Sequence, residues 1–275
     1  MDLRLAGAGH VHANGHRALG PALDLTVVRG ERVAVIGPSG AGKTTLVRIL
    51  GLSIGPSEGT FSLDGVDPAS HGARRLRTLR ARIGTIHQAP PLPPRLRVVN
   101  AVLAGRLGRW SAVKALASLA TPADAAGARD ALEPLGLADR LWDRCDRLSG
   151  GQAQRVGIAR VLYQAPDLML ADVPVSALDP TLADRALAAL VAAQERSGAT
   201  LVASLHAVDL ALKWFPRIVG LRAGAIVFDL PSAEVTPASL HALYAGEAPT
   251  STDAPPVLEA PIVATLGFGA GREGA

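Results

Sequence analysis

Two rhythms of apolar and polar positions run along this chain and change over at definite points. Residues 23–28 alternate loosely, Arg29-Gly30-Glu31 turns, and Arg32-Val33-Ala34-Val35-Ile36 predicts a buried strand. A glycine-rich loop follows at once. Over 44–52, Leu46, Ile49 and Leu50 recur at helical spacing. Residues 59–66 predict a hairpin turning at Asp64-Gly65. The Arg-rich stretch 71–82 reads as a solvated helix face, 83–88 as a short strand, and the prolines of 89–94 as a loop that no helix crosses. Residues 97–145 are helical in pattern with breaks at 105–108, 121–122 and 134–136, which reads as a helical insertion between two halves of an α/β unit. Strand–helix alternation then resumes: strand 168–171, helix 181–197, strand 200–204, helix 207–214, and a closing hairpin over 217–221 and 225–228. This order predicts an α/β fold with a largely parallel sheet. From residue 248 the chain turns to Pro, Thr, Ser, Ala and Gly, and 247–275 is expected to be a flexible tail.

Composition adds a puzzle to that outline. Of 275 residues, 48 % are hydrophobic and 19 % charged, which excludes a disordered chain. Mean hydropathy is high, +0.25, yet no run of about 18 apolar residues is long enough to cross a membrane. Apolar surface spread in this way predicts large buried faces, some of them against partners. The net charge is +4 and almost wholly arginine, the only lysines being Lys43, Lys114 and Lys213. Without a defined patch this charge predicts no nucleic-acid partner. Cys145 is the only cysteine, so no intrachain disulfide or cysteine-based metal site can form and a reducing compartment is allowed. Met1-Asp2-Leu3-Arg4 lacks the basic-then-apolar order of a signal peptide, and a cytosolic location is the default expectation.

The candidate chemistry begins at Gly37-Pro38-Ser39-Gly40-Ala41-Gly42-Lys43-Thr44-Thr45, which fits G-x-x-x-x-G-K-[ST] between a strand and a helix. The glycines let backbone N–H groups and the helix N-terminus face phosphate oxygens. Lys43 supplies a point charge to the β- and γ-phosphates, and the Thr44 hydroxyl is a ligand for Mg²⁺. Asp172 ends an apolar strand, where an acid can hold Mg²⁺ through water; alone it could equally be a helix cap. Leu148-Ser149-Gly150-Gly151-Gln152 opens another helix, with Ser149 at the N-cap. By itself this is either an ordinary capped helix or a second phosphate grip, and two grips make sense if the second serves the nucleotide of a partner subunit.

Together these motifs resemble the ATP-binding cassette ATPases over roughly residues 1–246. The loop holding Lys43 matches their Walker A, Gln88 their Q-loop, and Leu148 to Gln152 their signature. Asp172 matches the Walker B acid, Ser176-Ala177-Leu178-Asp179 the D-loop, and His206 the switch histidine. Within that family the chain is most similar to phosphonate-import ATPases, in Asn100-Ala101-Val102-Leu103-Ala104-Gly105-Arg106-Leu107-Gly108, in His206 followed by Val208-Asp209-Leu210-Ala211-Leu212, and in Ile218-Val219-Gly220-Leu221-Arg222. The resemblance implies a P-loop NTPase core with a parallel sheet, an N-terminal antiparallel β subdomain, and a helical subdomain inserted at about 90–160. It implies ATP and Mg²⁺ as ligands, and a head-to-tail homodimer in which Ser149, Gly150, Gly151 and Gln152 of one copy cover the ATP of the other. Gln88 would touch Mg²⁺ or the attacking water, His206 the γ-phosphate, and Asp179 the dimer interface. Membrane permease subunits, and a periplasmic binding protein indirectly, would be the other partners, with the chain peripheral on the cytoplasmic face of the inner membrane.

Two positions depart from the family pattern. Where the family places a Glu after the Walker B acid, this chain has Val173. Valine accepts neither a proton nor a hydrogen bond, so ATP binding and dimerisation are expected to persist while hydrolysis slows, unless a group such as His206 positions the water. At the adenine, His12 stands where the family stacks an aromatic ring and offers less stacking area than tyrosine. Two readings follow. The first is the ATP-binding subunit of an importer of phosphonate or a related oxyanion. The second is a catalytically degenerate cassette whose ATP-dependent dimerisation is regulatory. A soluble cassette ATPase of DNA repair or translation is disfavoured, because the chain has neither a second cassette nor a long coiled-coil insertion.

Overall fold

The computed structural model describes residues 1–245. Its first strands, β1 (Leu3–Val11) and β2 (Arg17–Val27), pair antiparallel, and β3 (Arg32–Ile36) begins a second sheet. Helix α1 (Lys43–Leu50) follows the glycine loop, and β4 (Glu58–Leu63) returns to pair with β1, giving a three-stranded sheet in the order β2-β1-β4. The expected turn at Asp64-Gly65 is present, with φ of 48° and 78° and a bridge from Leu63 to Val66. The expected hairpin is not. Leu63 and Phe61 register instead with Leu3 and Leu5 of β1, because these four side chains bury one another, while Pro68 starts a 3₁₀ turn that stops a returning strand.

Helix α2 (Ala73–Arg80) has no buried residue, as its Arg-rich pattern predicts. After β5 (Ile83–Ile86) come α3 (Val98–Leu103), α4 (Ala112–Ala120), α5 (Ala125–Leu132) and α6 (Gly150–Gln164). This is the helical stretch expected from the sequence, with α6 packed on α3 and α5. Strand β6 (Leu168–Asp172), helix α7 (Pro180–Ser197), strand β7 (Thr200–Ser204) and helix α8 (Val208–Trp214) restore the alternation. Strands β8 (Arg217–Arg222) and β9 (Ala225–Pro231) form the closing hairpin, and α9 (Pro237–Tyr244), which the sequence reading did not place, follows. The residues assigned to a tail lie outside the described residues.

The second sheet has the order β5-β6-β7-β3-β8-β9, parallel except for β9. Both faces are covered, which is why its strands carry unbroken apolar runs. Along β3, Ala34 and Ile36 enter one core and Val33 and Val35 the other. The first core joins the sheet to α3, α5, α6, α7 and α8; the second joins it to α1 and the three-stranded sheet. The loops after β3, β5, β6 and β7 all leave the carboxyl edge of the parallel sheet, where α/β folds place their ligands.

Candidate functional site

The loop after β3 is shaped by close backbone approach. Gly37 has φ of 150°, and a Cβ there would collide with the Leu221 carbonyl oxygen, so only glycine fits. Helix α1 starts at Gly42, which is left-handed and supplies no side-chain cap. Its first N–H groups therefore face the loop, and the helix dipole adds partial positive charge there. Lys43 is buried, and its ammonium lies across the loop, donating to the Gly37 carbonyl at 2.5 Å and the Pro38 carbonyl at 2.8 Å.

Asp172 ends β6 opposite Ser204 of β7, its partner in the parallel register. Its Oδ1 accepts hydrogen bonds from Thr44 Oγ1 at 3.1 Å and Ser204 Oγ at 2.8 Å. A hydroxyl and a carboxylate meeting beside a cationic loop are hard oxygen donors, and that donor set suits Mg²⁺ shared with phosphate oxygens. Among the described residues no three of His, Cys, Asp or Glu cluster so as to hold a metal ion.

Val173 carries the greatest local strain. It is buried and holds φ of 45°, which for a β-branched residue costs about 1–3 kcal/mol. Its surroundings hold it there: the amide donates to Ser204 Oγ at 3.1 Å and the carbonyl accepts from Gln154 Nε2 at 3.0 Å. Gln154, 1 % exposed on α6, also donates to Ser176 Oγ at 3.3 Å and accepts from the Ala177 amide at 3.1 Å. The sequence reading missed both Gln154 and Ser204. The one available signal for Gln154 was a polar residue on the stripe that Ile158 and Val161 continue into the core.

One cavity of about 410 Å³ gathers most of the predicted site. It is lined by Ser39, Gly40, Ala41, Gly42, Lys43, Thr44 and Thr45, by Gln88, Val173 and His206, and by His12, His16 and Ala18. The rings of His12 and His16 lie 14° from parallel with centroids 6.1 Å apart, and His10 meets His12 edge-on at 4.9 Å. His16 was not foreseen as a wall of this cavity. Beside Gln88, desolvation and then Arg160 push the His87 imidazole below the usual histidine range, against the pull of Asp172. The remaining predicted residues line no part of this cavity. Ser149 and Gln152 cap α6 reciprocally, at 3.3 and 2.9 Å. Asp179 caps α7 by accepting from the Leu182 amide at 3.0 Å. A Cβ on Gly151 would sit 2.8 Å from the Ala177 carbonyl oxygen, so the start of α6 lies directly on the segment that follows β6.

An uncapped helix start opposite a strand-end carboxylate, with a helical stretch inserted between β5 and β6, defines a P-loop ATPase of the cassette class. Comparison with known proteins agrees: the ABC transporter family matches residues 21–176, more than half of the chain, and the chain belongs to that family. It is 58 % identical over 263 residues to the phosphonates import ATP-binding protein PhnC 2 of Pseudomonas aeruginosa, covering 96 % of this chain and 98 % of the relative. It is 56 % identical over 270 residues to PhnC 1 of Cupriavidus necator, covering 98 % and 95 %. Among solved structures, the dimeric bacterial ABC transporter cassette MJ0796 superimposes with a TM-score of 0.72 at 27 % identity, over 84 % of this chain and 98 % of that one. A post-hydrolysis dimer of the same cassette, bound to ADP and Pi, gives 0.70.

Proposed function

We propose that this chain is the ATP-binding subunit of an importer of phosphonates or a related oxyanion, acting as a homodimer against membrane permease subunits. The observation that carries this reading is a division of labour. One cavity unites Lys43, Thr44, Gln88 and His206, with Asp172 hydrogen-bonded to Thr44 at its edge, while the exposed start of α6 is left for a second nucleotide. The names of the PhnC relatives supply the solute class. Among the described residues no helix is long and apolar enough to cross a membrane, which suits a subunit that works against a permease on the cytoplasmic face.

In this reading the triphosphate lies over the N-terminus of α1, and the Lys43 ammonium leaves two carbonyls for the β- and γ-phosphate oxygens. Thr44 and Asp172 would hold Mg²⁺, whose charge offsets that of the phosphates. His12 and His16 face the adenine, and Ser149 to Gln152 of the other copy close over the γ-phosphate. Gln88 and His206 remain at the cavity to orient water. Val173 offers it no acceptor, so the binding machinery is intact and the hydrolytic step is slow. This valine also favours the second reading, in which ATP-dependent dimerisation is a regulatory state. Steady-state ATP turnover with and without the permease, beside Val173→Glu, decides between them. Permease-stimulated turnover supports the importer; ATP-induced dimers without any stimulation support the regulator.

A further inference from the structure

Outside the nucleotide cavity, positive charge is concentrated on one helix. Helix α2 reads Ala-Arg-Arg-Leu-Arg-Thr-Leu-Arg and contains no acid. Arg74 and Arg77 are three residues apart on it, so their like charges meet on one face and repel. Arg80 is engaged, donating to the Leu52 carbonyl at 3.2 and 2.7 Å. No residue among those described bonds or pairs with the guanidinium of Arg74 or Arg77. Both line an open cavity of about 560 Å³ together with Thr78, Arg82, Gly108 and Arg109, and no carboxylate lines it.

Two of these four guanidiniums are held by other partners. Arg82 Nε donates to Asp167 at 2.5 Å, with Asp64 3.6 Å from its Nη2, and Arg109 Nη2 donates to the Ala165 carbonyl at 3.3 Å. Gly108 brings Arg109 close, since a Cβ there would lie 2.9 Å from the Cβ of Ala81 at the end of α2. Two held and two unengaged arginines thus line one hollow. Planar forks of this kind bind the paired oxygens of a phosphoryl group better than point charges do. Arg82 precedes β5 whereas Gln88 follows it, so this hollow lies at the other end of that strand from the nucleotide cavity, and the two share no lining residue.

We propose that Arg74, Arg77, Arg82 and Arg109 form a second anion site that takes an anionic phosphoryl or phosphonyl group. Free phosphate or phosphonate can present this group, and so can the headgroup of an anionic phospholipid. The site does not depend on the transport reading. Its test uses the full chain saturated with ADP, so that the loop at Lys43 does not compete. Inorganic phosphate and methylphosphonate are titrated by calorimetry in one arm. Vesicles of phosphatidylglycerol with phosphatidylcholine, against phosphatidylcholine alone, are co-sedimented in the other. Arg74→Gln/Arg77→Gln is expected to weaken binding about tenfold or more in one arm, with ADP affinity and the thermal midpoint unchanged. A loss in the soluble arm identifies a free anion, and a loss in the vesicle arm identifies the membrane. Arg75→Gln removes a charge from the same helix outside the hollow and is expected to have little effect. If neither arm responds to the double substitution, or if Arg75→Gln weakens binding as much, the proposal is wrong.

Discussion

Two helix starts in this molecule carry phosphate-gripping sequences, and the structure treats them oppositely. At α1 no side chain caps the first turn, Lys43 is buried, and neighbouring loops build walls around the N-terminus. At α6 the Ser149–Gln152 capping box satisfies the first turn from within, and Ser149 and Gly150 stay exposed outside that cavity. A helix N-terminus becomes a ligand site where its donors are left uncapped and walled in. The second start has no walls of its own, and a second copy of the chain can supply them.

The largest expected effect sharpens the first side of this contrast. Val173→Glu places a proton acceptor in a finished cavity and should raise steady-state turnover by about 10²–10⁴-fold; an unchanged rate removes the case for slow hydrolysis. Next come two substitutions that should part company. Lys43→Ala is expected to lower turnover about 10²–10³-fold together with ATP affinity, whereas Ser149→Arg should abolish ATP-induced dimers while the monomer still binds ATP within about twofold, since α6 does not line its own cavity. Equal losses of ATP affinity in both would break the comparison. His12→Ala should weaken ATP binding about five- to hundredfold if its ring stacks on the base, read by titration of a fluorescent nucleotide. Gln154→Leu leaves the Ala177 amide and the Val173 carbonyl without their buried partner and should cost about 1–3 kcal/mol in urea unfolding. The smallest effect concerns Cys145, just ahead of the exposed start of α6. Burial, and then Asp146, push its thiol up, so at pH 8 it should react more slowly than free cysteine until the chain unfolds.

Much of this was legible in local pattern. The strand–loop–helix of β3 and α1, the Arg-rich α2, and the alternation from β6 to the closing hairpin all follow from neighbours within a few positions. The Walker-type residues are legible for the same reason, because a phosphate loop is one continuous peptide. What escaped depends on partners far apart in sequence. Strand β4 pairs with β1 across more than fifty residues, and its exposed-side pattern does not say so. His16 becomes a cavity wall only because the turn from His12 folds it parallel to that ring. Gln154 and Ser204 were missed since their value lies in hydrogen bonds to a strained segment neither is next to.

The strained Val173 segment has one more consequence. Gln154 ties the N-terminal half of α6 to Val173, Ser176 and Ala177 at once. A shift at Val173 in one nucleotide cavity would therefore be felt at the surface that, in the proposed dimer, this copy offers to the other. In the proposed dimer a single amide side chain would gear the two pockets together, so each copy should register its neighbour's occupancy before either has turned over.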